Sequence, residues 1–213
     1  MKTKRKALLL TFCAVLLVVA SVLGTIAYLT ANDTVTNTFT VGQVAINLDE
    51  AKVTEDGEAV TPAERVKANS YKLLPGHTYT KDPTVTVLKG SESSYIKMTV
   101  TFNKANELDA IFAPNGAELT SIFKDYDSAN WIAKGNTENT DANTRTYEFW
   151  YEEAVGAPDA DVKLDALFDS ITVPNNITGK QLATIKDMTI TVNAYAIQAD
   201  GFKTAKEAWD AFS

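Results

Sequence analysis

YIKMTVTF, residues 95–102, alternates apolar and polar side chains without a break: Ile96, Met98, Val100 and Phe102 on one parity, Lys97, Thr99 and Thr101 on the other. A period of two places successive side chains on opposite faces, so this octet predicts a strand with one buried face. Similar alternation recurs on both sides of it. Residues 36–48 carry Phe39 and Val41, then Val44, Ile46 and Leu48 in a second phase across Gly42. Residues 83–88 supply Val85 and Val87, residues 144–152 supply Tyr147, Phe149 and Tyr151, and residues 188–197 run Met188, Ile190, Val192, Ala194, Ala196. Threonine fills many outward positions, where β-branching favours a strand and burial is not required. The pattern predicts a mainly β protein.

Helical signals are sparser. Thr61, Pro62 and Glu64 read as a cap, a first-turn proline and a capping acid. Leu119, Ile122 and Phe123 have helical spacing, as do Leu164, Leu167, Phe168 and Ile171. At the end of the chain, Thr204 and Glu207 have capping-box spacing, and Ala205, Ala208, Trp209 and Phe212 share one face. The last of these predicts a helix packed on a sheet edge. Residues 134–144, KGNTENTDANT, are expected to be an exposed polar loop. Strands with short helices between them point to an antiparallel β-sandwich with helical insertions and a C-terminal helix.

The amino terminus has a separate purpose. Lys2, Lys4, Arg5 and Lys6 precede residues 7–23, ALLLTFCAVLLVVASVL, which are apolar apart from Thr11 and Ser21. Gly24, Thr25, Ile26 and Ala27 follow. A charged start, an apolar run and a small-residue exit describe a secretory signal peptide, with cleavage expected between Ala27 and Tyr28. The competing reading is an uncleaved anchor, since the apolar run is nearly long enough to span a bilayer. The expected organisation is therefore a signal peptide, residues 1–27, and one secreted β-sandwich domain, residues 28–213.

Removing the four leading cations from the 20 basic residues leaves 16 against 27 acidic ones, a net charge of −11. Such a chain is a poor match for nucleic acid or anionic membrane surfaces, which reward Lys and Arg. Contact with the membrane is expected only before cleavage. Cys13, the only cysteine, lies within the signal, so the secreted part has neither a disulfide nor a thiolate metal ligand.

Residues suited to catalysis are few. His77 is the only histidine and follows Pro75-Gly76, a turn signal, so it reads as a solvent-facing turn residue. A single imidazole excludes an HExxH zinc helix, and no GxSxG nucleophile elbow occurs. Residues 136–143 lack the oxygen-ligand spacing of a calcium loop. The expectation is no catalytic residue, no metal and no cofactor.

Two groups of residues carry a resemblance. Gly24-Thr25-Ile26-Ala27-Tyr28-Leu29-Thr30 followed by Asn37-Thr38-Phe39-Thr40-Val41-Gly42, then Leu74-Pro75-Gly76, Thr80-Lys81-Asp82 and Ile96-Lys97, resembles the camelysin/TasA family. Ala194-Tyr195-Ala196-Ile197-Gln198-Ala199-Asp200-Gly201-Phe202 is similar to the ending of clostridial-type members. Residues 103–180 have no counterpart in it. The resemblance implies a jelly-roll-like sandwich, exported from a bacterium of Gram-positive type, processed by a SipW-type signal peptidase and assembled into biofilm-matrix fibres. The implied partners are that peptidase, further copies of the chain and other matrix proteins. Some members are described as metalloproteases, a role this sequence departs from.

Freed by cleavage, residues 28–41 would place Leu29, Val35, Phe39 and Val41 on offer for burial as an N-terminal donor strand. Strand addition takes affinity from main-chain hydrogen bonds and register from alternate side chains. A head-to-tail contact of this kind does not close and gives filaments. A secreted structural subunit of matrix or pilus-like fibres is therefore expected. The alternatives are a secreted or surface-associated hydrolase of camelysin-like metalloprotease type, or a monomeric surface adhesin. No LPxTG sorting tail is present, so covalent wall attachment is not expected.

Overall fold

The computed structural model describes residues 2–29, 42–112 and 122–212. The chain divides into two units, Met1–Val41 and Gly42–Ser213. The first contains helix α1 (Lys2–Leu29), which continues through Gly24 to Leu29. Leu8, Leu10 and Leu17 on it are 73%, 70% and 72% exposed. The Thr11 hydroxyl donates to the Ala7 carbonyl at 3.0 Å, so this polar side chain within the apolar run is satisfied locally. Among the described residues, no helix is long and apolar enough to cross a membrane, and the side chains described in α1 are those of residues 3–19.

The second unit is built from antiparallel sheets. In chain order its elements are β1 (Ile46–Ala51), β2 (Arg65–Val66), β3 (Thr78–Thr80), β4 (Thr84–Val87), β5 (Ser91–Asn103) and α2 (Ala105–Phe112). There follow β6 (Phe123–Lys124), β7 (Trp131–Asn139), β8 (Thr144–Tyr151), β9 (Val155–Ala157) and β10 (Val162–Lys163). The last are β11 (Ser170–Thr172), α3 (Gly179–Thr184), β12 (Ile190–Gln198) and α4 (Ala205–Asp210). One sheet runs β12-β5-β8-β7, with β9 also pairing β5; a second runs β10-β4-β1-β2, and a third β3-β11-β6. All three sheets contribute to one hydrophobic core. The mainly β, antiparallel expectation therefore holds.

The octet at 95–102 forms the middle of β5, and Ile96, Met98, Val100 and Phe102 are all fully buried. Val85 and Val87 on β4 join the same core, also fully buried. Phe123 stacks on Phe168 with ring centres 3.9 Å apart and lies 5.8 Å from Phe102, extending the same core. Trp131 is fully enclosed, its indole N–H donating to the Asp165 carbonyl at 3.0 Å. A buried Trp needs such a partner for its polar end.

Several local readings are corrected. Residues 61–64 form no helix. Here the chain is drawn into β2, where Arg65 reaches Asp49 through Nε at 2.7 Å and also pairs with Asp82, so tertiary charge pairing overrides the capping signal. Leu164, Leu167, Phe168 and Ile171 are all buried, yet the first three lie in irregular chain between β10 and β11, and Ile171 is in β11. Their spacing reflects threading through the core, not a helix. Ile122 and Phe123 lead into β6, while Leu119 lies outside the described residues. Most of the 134–144 stretch belongs to β7, paired with β8; it reads as loop because residues 133–139 are exposed. Only residues 140–143 turn.

The C-terminal helix forms as expected. The Thr204 side chain accepts from the Glu207 N–H at 3.2 Å, Ala208 and Trp209 are buried, and Phe212 is 72% exposed rather than packed. Two helices were not anticipated. In α2, Leu108, Ile111 and Phe112 are buried, and Asn143 holds its start by accepting from the Asn106 N–H at 3.0 Å. In α3, Thr178 and Gln181 complete a capping box.

Candidate functional site

The β1 and β12 strands both continue the two-residue alternation, but with different consequences. On β12 the inward residues Ile190, Val192, Ala194 and Ala196 are only half-buried, whereas their counterparts on β5 are fully enclosed. The two strands are paired in full register from Ile190–Phe102 to Gln198–Ser94. The apolar face of β12 therefore packs against the core but remains partly uncovered.

The uncovered part opens into a cleft of about 950 Å³. Leu48 and Glu50 of β1, the 66–73 segment, Lys81, the end of α3 and residues 188–192 line it. Its apolar wall comprises Leu48, Leu73, Ile171, Leu182, Met188, Ile190 and Val192. Two sheet ends flank it: β12 closes one sheet order and β2 closes another. A terminal strand presents unpaired backbone donors and acceptors, which makes it a template for a further strand. Among the described residues, none pairs with the outer side of either strand.

At the floor of the cleft the alternation of β1 carries on from Ile46 and Leu48 to Glu50, which puts a carboxylate on the inward parity. Lys81, two residues beyond the fully buried Tyr79, points inward to meet it. Their charged ends lie 2.5 Å apart with side chains 8% and 9% exposed. Asn69 Nδ2 donates to the other Glu50 oxygen at 3.0 Å and to the Ala51 carbonyl at 2.8 Å. A buried ion pair is tolerated only where further hydrogen bonds satisfy it, and Asn69 supplies one here. Burial, followed by the negative charge of Glu50, pushes the neighbouring Tyr71 phenol above its ordinary range. Its hydroxyl donates to the Thr80 carbonyl at 3.2 Å. On the outer side Ala51 N–H donates to Asp82 at 2.6 Å, so Asp82 ties β1 to the segment before β4 while also pairing with Arg65.

The residues singled out from sequence fall elsewhere. Ala27 and Tyr28 lie in the last turns of α1, and Leu29 is its final residue, so the first two positions of the expected 28–41 strand are helical in the full chain. Val35, Phe39 and Val41 lie outside the described residues. His77 is exposed beside the turn at Gly76, with its ring 6.1 Å from that of Tyr79. Among the described residues, no three His, Cys, Asp or Glu side chains gather in a way that would hold a metal. Sequence reasoning passed over the cleft and its polar floor. Charged residues continuing an inward parity, Glu50 after Leu48 and Lys81 after Tyr79, were the signal that could have found them.

Comparison of the chain with protein-family models, with curated proteins and with solved structures finds no match. The cleft's geometry and the residues around it therefore carry the functional argument.

Proposed function

We propose that the protein is an exported structural subunit that polymerises by strand addition, with residues 28–41 of one copy entering the cleft beside β12 of the next. The observation that carries this reading is the half-buried apolar face of β12 bordering a cleft of about 950 Å³. An added strand would supply the missing cover for Ile190 and Val192 and pair with an unoccupied strand edge. Each Val- or Phe-sized side chain fully buried in that way contributes about 1.5–3 kcal/mol, so Val35, Phe39 and Val41 together supply about 4.5–9 kcal/mol toward association, to which main-chain hydrogen bonds add.

The apolar run of α1 delivers the chain to an export machinery and its removal frees the strand, with a SipW-type peptidase as the processing enzyme. Outside a bacterial cell, an acidic, disulfide-free subunit of this kind would join matrix or pilus-like fibres with itself and with other matrix proteins. The role is structural rather than catalytic.

The test is light scattering and electron microscopy on the chain beginning at Tyr28, beside one beginning at Gly42. Growth of the longer form into filaments, with the shorter one folded and small, is the expected result. Two monomeric proteins would sink the strand-addition reading.

A further inference from the structure

Glu50 bridges an amine and a carboxamide. One of its oxygens, Oε2, lies 2.5 Å from Lys81 Nζ, and the other, Oε1, accepts from Asn69 Nδ2 at 3.0 Å. The Asn69 amide is held on every side: Nδ2 also donates to the Ala51 carbonyl at 2.8 Å, and Oδ1 accepts from the Val53 N–H at 3.1 Å. The two charged side chains are 8% and 9% exposed. The carbonyl of the carboxamide thus already receives the backbone donor that would stabilise an oxyanion, and its nitrogen touches a group able to give it a proton. A nucleophile, an electrophile and a shared proton carrier have been brought together in a nearly dry site, where positioning alone lowers a barrier substantially.

We infer that Lys81 and Asn69 become joined by an intramolecular amide bond, with Glu50 as the catalytic proton carrier. Glu50 takes a proton from the Lys81 ammonium, giving a neutral amine beside a neutral acid, an exchange that removes two charges from a buried site. The Nζ lone pair attacks Asn69 Cγ and forms the new N–C bond, while the C=O electron pair moves onto Oδ1 opposite the Val53 N–H. As the carbonyl re-forms, the Cγ–Nδ2 bond breaks and Glu50 gives its proton to Nδ2, which leaves as ammonia. Glu50 then collects the surplus proton from Nζ and passes it to the departing ammonia. The sum is a lysine ammonium and an asparagine amide converted to a secondary amide and ammonium, with the carboxylate regenerated and no oxidant or further reactant consumed.

The bond would close the segment between residues 69 and 81. Such a cross-link restricts the unfolded chain as a disulfide does, in a part of the sequence that contains no cysteine. It would also fix the wall of the cleft formed by Tyr71 and Leu73. The inference stands independently of fibre formation.

The experiment is mass spectrometry on the purified full chain after denaturation. The expected mass is lower than the sequence mass by one ammonia, apart from any removal of residues 1–27. Tryptic digestion should release residues 68–72 attached through Asn69 to residues 73–89, with no cleavage after Lys81. Fragmentation places the branch and separates it from a linear 68–89 peptide. Glu50→Gln retains hydrogen-bonding atoms but cannot carry the proton, so the folded variant should keep the full mass, and Asn69→Ala should leave Lys81 cleavable. A wild-type chain of full mass, with Lys81 cleaved and acetylated normally once unfolded, overturns the inference. Loss of ammonia without a branch overturns it equally, since Asn69 before Ser70 can lose ammonia by closing on its own backbone.

Discussion

Tyr79→Phe removes a single oxygen from the second unit and tests what fixes the cleft wall. The Tyr79 ring is fully buried, its hydroxyl donates to the Lys72 carbonyl at 2.6 Å, and it accepts from the Leu74 N–H at 2.7 Å. These two bonds hold the 72–74 segment, which brings Leu73 into the cleft. Phenylalanine keeps the ring and its edge contact with Tyr71, 5.6 Å between centres, so no cavity of consequence opens. Each lost bond removes about 0.5–1.5 kcal/mol net, and more where the orphaned group is shut off from water. Lys72 is exposed and Leu74 half-buried, so water partly replaces the hydroxyl. The expected loss is about 2 kcal/mol, a fall in Tm of about 4–8 °C for a unit of this size. Urea unfolding of the full chain followed by tryptophan fluorescence reads it as a lower midpoint at unchanged slope. A loss under about 0.5 kcal/mol would show that the 72–74 backbone rehydrates freely and that the hydroxyl is no anchor.

Gly57→Ala is expected to destabilise by about 2 kcal/mol or more, because Gly57 has φ +85° and a Cβ there would lie 2.8 Å from the Tyr79 Cα, a backbone atom that cannot swing aside; thermal melting checks it, and an unchanged Tm refutes the reasoning. Asp169→Asn has a pH signature. Burial, then repulsion from Asp125, Asp82 and Asp127, raises the Asp169 pKa. A carboxyl raised on folding favours the folded state below its unfolded value of about 3.9 and loses that contribution as pH rises through the folded value. The asparagine variant should therefore melt higher than the parent at neutral pH and lose the advantage in acid, and a difference of constant size across that range would contradict the assignment.

The strands in which one face is buried and the other wet could be read directly, because alternation is a local pattern written residue by residue. β4, β5 and β8 lie where Val85, Met98 and Phe149 place them, and each of these residues is buried. The terminal helix was legible for a similar reason, since Thr204 and Glu207 satisfy neighbouring backbone groups without help from the rest of the chain. Where both faces meet the same environment the local pattern fails. Residues 133–139 of β7 are exposed on both faces and look like a loop. Irregular chain misleads in another way, since Leu164, Leu167 and Phe168 are buried beside exposed Asp165 and Asp169 and so mimic a helix. Residues 61–65 fail differently, since the pull on Arg65 comes from Asp49 and from Asp82 17 positions away.

The sequence by itself determined the inward parity of the strands with one buried face, such as β4, β5 and β8, the acidic balance of the chain and the apolar leader. Tertiary structure alone decided that Glu50, Asn69 and Lys81 share one set of hydrogen bonds, and that β12 ends its sheet with its apolar face only partly covered. Parity says which face a side chain takes. Which neighbour stands across from that face depends on sheet order, and sheet order is settled by the packing of distant segments over a common core.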